Sequence, residues 1–141
     1  MNGGRFFLDT NVPVYLSDKS APAKADRAGQ LIELGLETGR GVVSYQVVQE
    51  YCNTMLRKAR VPLRDPDIEH FVRSTLGPMM AVQPSLELVY LALQLRADCA
   101  IPWYDALIVA AALEAKCAVL YSEDFQHGRR FGDLRVENPF L

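Results

Sequence analysis

The sequence has few cysteines, and their spacing is not that of a zinc site. Its 141 residues include three, Cys52, Cys99 and Cys117, which is an odd number. Since no signal peptide precedes them, they are expected to be free thiols in a reducing cytoplasm. A chain of this length buries roughly 68–70% of its unfolded surface, so its core needs neither a disulfide nor a structural metal.

Long apolar runs and a strong net charge are also missing. The longest apolar run, around residues 106–113, is too short and too alanine-rich to cross a bilayer, so no membrane contact is expected. The net charge of −2 is not that of a strongly basic nucleic-acid binder, although local patches matter more than the total. Half of the residues are hydrophobic, which is typical of a globular protein. The length predicts a single domain over residues 1–141.

Short apolar segments alternate with helical patterns along the chain. Strands are predicted over residues 6–8, 42–44, 79–82, 118–121 and 134–137. Helices are predicted over residues 11–16, 22–39, 45–60, 65–76 and 103–115, and a loop over residues 128–132. A further helix is predicted from Pro84, with Leu86, Val89, Tyr90 and Leu93 in register on one apolar stripe. The helix from Trp103 is apolar nearly all round and should be the most buried. This alternation predicts an α/β fold with a parallel sheet and helices on both faces.

Acidic residues follow two of the predicted strands. Asp9 comes directly after the first strand, and Asp124, with Glu123 beside it, follows the strand over residues 118–121. In open parallel sheets, ligands bind beyond the carboxyl ends of the strands. Asp105 lies in the first turn of the most buried helix, where an unpaired carboxylate would need a donor or a metal ion.

Each of these acids also has a purely structural interpretation. Asp9 can cap the next helix, Asp105 can interact with the helix dipole, and Asp124 can be a turn residue. Glu50 lies away from the apolar stripe of its helix, which by itself indicates a solvated residue. If the acids converge instead, they repel one another unless cations lie between them. Oxygen-rich clusters suit Mg²⁺, with Mn²⁺ as the alternative, and such ions support phosphoryl transfer.

Four segments in this order and spacing resemble the PIN domain family, and most of all the single-domain proteins typified by VapC toxins. They are residues 6–11, Ser44 six residues before Glu50, Tyr104-Asp105-Ala106, and residues 120–125. The resemblance covers essentially the whole chain. It implies a three-layer α/β/α sandwich with a central parallel sheet. It also implies Mg²⁺- or Mn²⁺-dependent cleavage of RNA, a homodimer and an antitoxin partner.

The resemblance places the acidic quartet of the family on Asp9, Glu50, Asp105 and Asp124. Asp9 and Asp105 would hold the principal metal ion, Asp124 would complete its coordination directly or through water, and Glu50 would hold a second ion or orient the attacking water. The neighbours expected to fix the carboxylates are Thr10, Asn11, Ser122 and Glu123. Whether Glu123 or Asp124 faces the metal is left open.

Two surfaces are candidates for macromolecular contacts. Phosphates could meet a group of basic residues that are otherwise ordinary solvated side chains: Arg57, Lys58, Arg129 and Arg130. The apolar stripe of Ile68, Phe71 and Val72 could supply a homodimer contact or could pack wholly inside one subunit. His70 and His127 are assigned no catalytic role.

Two other functions compete with the ribonuclease. A haloacid-dehalogenase-like phosphatase also has an aspartate at the end of its first strand, but it needs a second aspartate where this chain has Asn11. An inactive PIN fold could serve as a protein- or RNA-binding module, and metal-dependent RNA cleavage would exclude that alternative.

Overall fold

The computed structural model describes residues 4–57 and 63–141. It has a six-stranded sheet whose strand order is β3-β2-β1-β4-β6-β5. The strands are β1 Phe6–Leu8, β2 Gly41–Ser44, β3 Met80–Val82, β4 Val119–Tyr121, β5 Arg130–Phe131 and β6 Leu134–Glu137. All neighbours pair in parallel except β5 and β6, which are antiparallel. The predicted strands are therefore present, and the central sheet is mostly parallel.

The helices flank this sheet and complete the predicted three-layer arrangement. They are α1 Asn11–Leu16, α2 Pro22–Thr38, α3 Tyr45–Arg57, α4 Asp65–Phe71, α5 Gly77–Met79, α6 Leu86–Cys99 and α7 Trp103–Glu114. Helix α1 packs on α2, and α6 packs on α7. As predicted, α7 is deeply buried, with Ile108 and all residues from Val109 to Ala112 in the core. No helix in the described ranges is long and apolar enough to span a membrane.

The order of the strands creates a crevice beside β1. The chain runs from β1 outward through β2 to β3 and then returns to place β4 on the other side of β1. The strand order therefore reverses between β1 and β4, and in open α/β sheets such a reversal opens a ligand site beyond the carboxyl ends of the strands.

A helix and the sheet are in close contact at the amino end of β2. A Cβ atom added at Gly41 would lie 2.6 Å from the Cα of Gly35. Real Cβ atoms do not approach a backbone so closely, so only glycines allow α2 to lie this near to β2. An alanine at Gly41 would push the helix outward and disturb the core beneath the site.

Three local predictions are corrected by the structure. The predicted loop over residues 128–132 contains β5, because Gly132, with φ +60°, closes a tight hairpin between β5 and β6. Helical structure continues past Gly77, because Pro78 lies in the first turn of α5, where its missing N–H is not needed. A π-helical segment, Val72–Leu76, joins α4 to α5.

The inward face of α6 also differs from the predicted one. The sequence places Leu86, Tyr90 and Leu93 on one apolar stripe, yet these residues are 65%, 60% and 51% exposed. Leu88 and Ala92 face the core instead. Helix α6 has apolar residues on several sides, so its periodicity does not identify the buried face.

The stripe proposed for a dimer contact lies largely inside the subunit. Ile68 is buried, and the Phe71 ring lies 4.9 Å from the Tyr51 ring between their centroids. Phe71 and Val72 are only partly buried, so the dimer contact stays a prediction. The three cysteines are free, as predicted.

Candidate active site at the carboxyl edge of the sheet

Parallel pairing of β1 and β4 brings Asp9 and Ser122 together. Leu8 pairs with Tyr121, so the next residue of each strand emerges at the same edge of the sheet. The backbone N–H of Asp9 donates to the Tyr121 carbonyl over 3.0 Å and extends the pairing by one residue. The Ser122 hydroxyl then donates to Asp9 Oδ2 over 2.6 Å. The register of the sheet thus fixes the first carboxylate.

Asp9 is buried, and its carboxyl group is held on both oxygens. Its side chain is 4% exposed, and Asp9 Oδ1 accepts the Thr10 backbone N–H over 2.7 Å. Burial raises the pKa of Asp9 from 3.8 to about 7, and repulsion from Asp124 and Glu50 adds to the increase. The hydrogen bonds from Ser122 and Thr10 oppose this rise. In the metal-free protein, Asp9 therefore keeps its proton to a much higher pH than an exposed aspartate does.

Glu50 reaches the same edge from α3. The Thr10 hydroxyl donates to Glu50 Oε1 over 2.6 Å, and the Gln46 amide donates to Glu50 Oε2 over 3.1 Å. The same Gln46 amide nitrogen lies 3.2 Å from the Tyr104 carbonyl oxygen at the start of α7. Ser44 is buried at the end of β2, and its hydroxyl accepts the Val47 N–H over 3.4 Å at the beginning of α3. Contact with Thr10 therefore brings Glu50, half-buried, beside the β1 edge.

Asp124 lies on the other side of Asp9. Its backbone N–H donates to the Ser122 hydroxyl over 3.0 Å, and its Oδ2 accepts the Asn11 amide over 3.2 Å. Ser122 thus bonds to both aspartates. Asp124 is exposed, but desolvation by the surrounding protein still raises its pKa. The Asn11 hydrogen bond lowers this pKa, and repulsion from Glu123 and Glu50 raises it.

Asp105 is the fourth carboxylate and comes from the first turn of α7. Partial burial raises its pKa, and repulsion from Asp124 and Glu50 raises it further. The four predicted acids therefore lie within one electrostatic environment, although they come from four separate segments of the chain.

Glu123 has different partners from its neighbour Asp124. The Tyr15 hydroxyl donates to Glu123 Oε1 over 2.5 Å, and Lys24 Nζ lies 3.4 Å from Glu123 Oε2. Lys24 also donates to the Tyr15 oxygen over 3.1 Å. These contacts tie the turn after β4 to α1 and α2. They leave Asp124 as the acid of this turn that bonds to the Asn11 and Ser122 side of the cluster.

The donor set fits a hard divalent cation. Carboxylate oxygens are the ligands that Mg²⁺ and Mn²⁺ prefer. The Oδ1 atom of Asn11 is buried and has no hydrogen-bond partner among the described residues. None of the ion pairs found in the described ranges neutralises one of the four acids. In these ranges, however, no three Asp, Glu, His or Cys side chains form a group ready to hold a metal ion.

The predicted phosphate-binding residues have mixed surroundings. Arg129 donates to the Cys99 carbonyl over 3.1 Å, and its guanidinium lies 4.7 Å from the centre of the Phe131 ring, so it stabilises the fold. Arg57 and Arg130 are exposed. Lys58 lies outside the described residues.

Sequence reasoning missed Gln46 and Tyr15, which contact Glu50 and Glu123. The position of Gln46 four residues before Glu50 is a usable signal, because such residues face each other on a helix. The bond between Tyr15 and Glu123 joins residues 108 positions apart and has no local signature.

Comparison with known proteins agrees with this architecture. The sequence model of the PIN domain family matches residues 6–130. Among solved structures, the chain is similar to one in the crystal structure of VapBC2 from Rickettsia felis bound to a DNA fragment from their promoter. The TM-score is 0.65 at 20% identity, over 94% of this chain and 96% of that chain. A search of curated proteins finds no significant match. The structural likeness shows the fold, and because the family match spans most of the sequence, the chain belongs to the PIN domain family.

Proposed function

We propose that this protein is a Mg²⁺- or Mn²⁺-dependent endoribonuclease that hydrolyses RNA phosphodiester bonds, and that it is the toxin of a type II toxin–antitoxin pair. The observation that supports this most is the convergence of Asp9, Glu50, Asp105 and Asp124. The pKa values of Asp9, Asp105 and Asp124 are raised, first by desolvation and further by repulsion from two neighbouring acids in each case. A fold gains no stability by gathering like charges, so a cationic ligand is the simplest reason for the cluster.

In this proposal, Asp9 and Asp105 hold the principal ion, Asp124 completes the site, and Glu50 orients water or holds a second ion. When bound, the ion supplies an activated water and charge stabilisation for phosphoryl transfer. The four acids would draw closer together as their mutual repulsion is neutralised. This step is needed because the described residues form no ready-made cage.

The neighbouring polar side chains would set the orientation of the carboxylates. Ser122 donates to Asp9 and bonds to the backbone of Asp124, while Thr10 bonds to Glu50 and Asn11 bonds to Asp124. The bonds from Ser122 to Asp9 and from Asn11 to Asp124 favour the ionised forms of these two aspartates. These hydrogen bonds would also hold the carboxylates in fixed orientations toward a bound ion.

The partners follow from the same proposal. The similar Rickettsia felis structure holds VapBC2 with a DNA fragment. For this chain we propose an antitoxin protein that covers the carboxylate cluster until the toxin is released. The homodimer and its contact surface stay predictions.

Cleavage assays with purified protein test the enzymatic proposal. We expect cleavage of single-stranded RNA in millimolar Mg²⁺, none in EDTA, and recovery when Mg²⁺ or Mn²⁺ is restored. Asp9→Asn and Asp105→Asn should each lose nearly all activity, because each removes a negative charge from the proposed metal site. Asp26→Asn changes an exposed aspartate on α2 and should keep full activity.

The result separates the enzyme from an inactive binding module. Binding of RNA or antitoxin without metal-dependent cleavage by the wild type would favour the module. Full activity in Asp9→Asn or Asp105→Asn, once contaminating nuclease has been excluded, would show that the proposed metal site is wrong.

A further inference from the structure

A cavity with no assigned role adjoins the carboxylate cluster. It lies between β2, β3 and the helices α3, α6 and α7, and its volume is about 200 Å³. Its floor is apolar and includes Val82, Leu88 and Leu107, while its polar groups are amides and hydroxyls, among them Gln49 and Gln83. None of the described residues that line it is charged. The cavity therefore suits an uncharged occupant with apolar faces and hydrogen-bonding edges.

The cavity adjoins the proposed active site, because the two share lining residues. Gln46, Gln49 and Tyr104 line it and also line a second cavity, of about 300 Å³, which includes Glu50 and Asn53. Gln46 bonds to Glu50 and to the Tyr104 backbone, and Tyr104 directly precedes Asp105 in the chain. An occupant of the uncharged cavity would thus contact Gln46, which bonds to Glu50, and Tyr104, which is the chain neighbour of Asp105.

Size and surface chemistry limit the occupant to one ring system. An apolar cavity of about 150 Å³ holds a benzene molecule, whereas drug-sized ligands need roughly 300 Å³ or more. Tyr104 and Tyr45 line the cavity and are 65% and 42% exposed, so aromatic surface is available beside the opening. Every nucleobase stacks on aromatic side chains, and amides such as those of Gln49 and Gln83 can bond to its edge.

We propose that this cavity binds an unpaired nucleobase of the substrate strand, next to the phosphodiester that is cleaved, with Tyr104 as the stacking residue. The proposal rests on the ribonuclease function argued above. It restricts the substrate to RNA that is single-stranded at this nucleotide, because a base inside a helix is stacked on its neighbours and its Watson–Crick edge is occupied. The base would anchor the strand in an uncharged cavity while the carboxylates, with their ion, receive the phosphate.

Binding of free nucleosides tests the cavity without any need for catalysis. Adenosine, cytidine, guanosine and uridine are each titrated into the protein in EDTA and followed by saturation-transfer NMR, with ribose as the probe that lacks a base. We expect transfer to the base protons of at least one nucleoside and none to ribose. Tyr104→Ala should weaken this binding between about 5-fold and about 150-fold, the range for loss of one base–aromatic stack. Tyr104→Phe should restore it.

A matched control tests whether any exposed tyrosine would give the same effect. Tyr90 on α6 is 60% exposed, close to the 65% of Tyr104, and it does not line the cavity. Tyr90→Ala should bind nucleosides as the wild type does. Both variants change exposed side chains and should fold normally, which circular dichroism can verify.

Cleavage assays separate this proposal from the ribonuclease itself. If the wild type cleaves RNA, replacing one nucleotide beside the cleaved bond by an abasic one should lower kcat/KM, and Tyr104→Ala should add little further loss on that strand. If nucleoside binding depends on Tyr104 but no RNA is cleaved, the base-binding proposal is supported and the ribonuclease proposal is wrong. Absence of nucleoside binding, or binding unchanged by Tyr104→Ala, would overturn the base site even when the wild type cleaves RNA.

Discussion

Replacing Asp9 by asparagine should stabilise the metal-free protein at neutral pH but not at acidic pH. The carboxyl group is 4% exposed, and burial raises its pKa from 3.8 to about 7. Well below pH 3.8 it is protonated in both the folded and the unfolded chain. Between these two pKa values the unfolded chain loses the proton while the folded chain keeps it, so rising pH favours unfolding.

The difference between the two pKa values sets the size of the effect. Each pKa unit corresponds to about 1.4 kcal/mol, so a rise from 3.8 to about 7 is worth about 4 kcal/mol. Wild-type stability should decrease by this order of magnitude from pH 4 to pH 8 relative to Asp9→Asn, which does not titrate. Asparagine also loses an acceptor oxygen, which costs about 1 kcal/mol at every pH and leaves the pH dependence unchanged.

Urea unfolding in EDTA, followed by circular dichroism between pH 4.5 and pH 8.5, measures this difference. The free energies of unfolding of wild type and Asp9→Asn should diverge as the pH rises, and the variant should become the more stable of the two. Asp26→Asn, which changes an exposed residue, should stay parallel to the wild type. Parallel curves for wild type and Asp9→Asn would show that Asp9 titrates near its ordinary pKa and would refute the reasoning. Saturating Mg²⁺ should remove most of the divergence, because the ion favours the ionised carboxylate.

Two further substitutions test the neighbours of Asp9. Ser122→Ala removes the donor that lies 2.6 Å from Asp9 Oδ2. It should cost about 1.5–3 kcal/mol of unfolding free energy in EDTA at pH 8, and less at pH 5, by urea titration. Asp105→Asn relieves repulsion and should melt at the same or a higher temperature in EDTA. Mg²⁺ at 100 times its Kd should stabilise the wild type by about 2.7 kcal/mol and the variant much less. A clearly lower melting temperature with an undiminished Mg²⁺ response would make Asp105 structural.

The fold was predictable wherever a segment is buried on all sides. Strands β1 and β2 are buried along their whole length and appear in the sequence as uninterrupted short apolar runs. Helix α6 was harder, because its leucines lie on several faces and only packing on α7 selects Leu88 over Leu86. Strand β5 has two residues, too few for any periodicity, and it depends on the turn at Gly132.

The candidate site was predictable where an acid ends a strand and less so where long-range contacts place it. Asp9 and Asp124 follow β1 and β4, so the alternation of strands and helices already places them at one edge. Glu50 looks solvated on its own helix, and its burial comes from Thr10, forty residues earlier. The local sequence does not show whether Glu123 or Asp124 joins the cluster. That depends on Tyr15 and Lys24, which bind Glu123 away from it.

The contacts of Asp9 also explain why a costly carboxylate can stay in place without an ion. The register between β1 and β4 places Asp9, the residue after Leu8, in the interior. An apolar residue at this position would make the folded protein more stable. Ser122 and the Thr10 amide satisfy both oxygens, so the group can be buried as an acid or as an anion. With a pKa of about 7, a modest attraction from a cation is enough to ionise it. Burial therefore makes the charge of Asp9 depend on a bound cation, whereas an exposed aspartate would be ionised at all times.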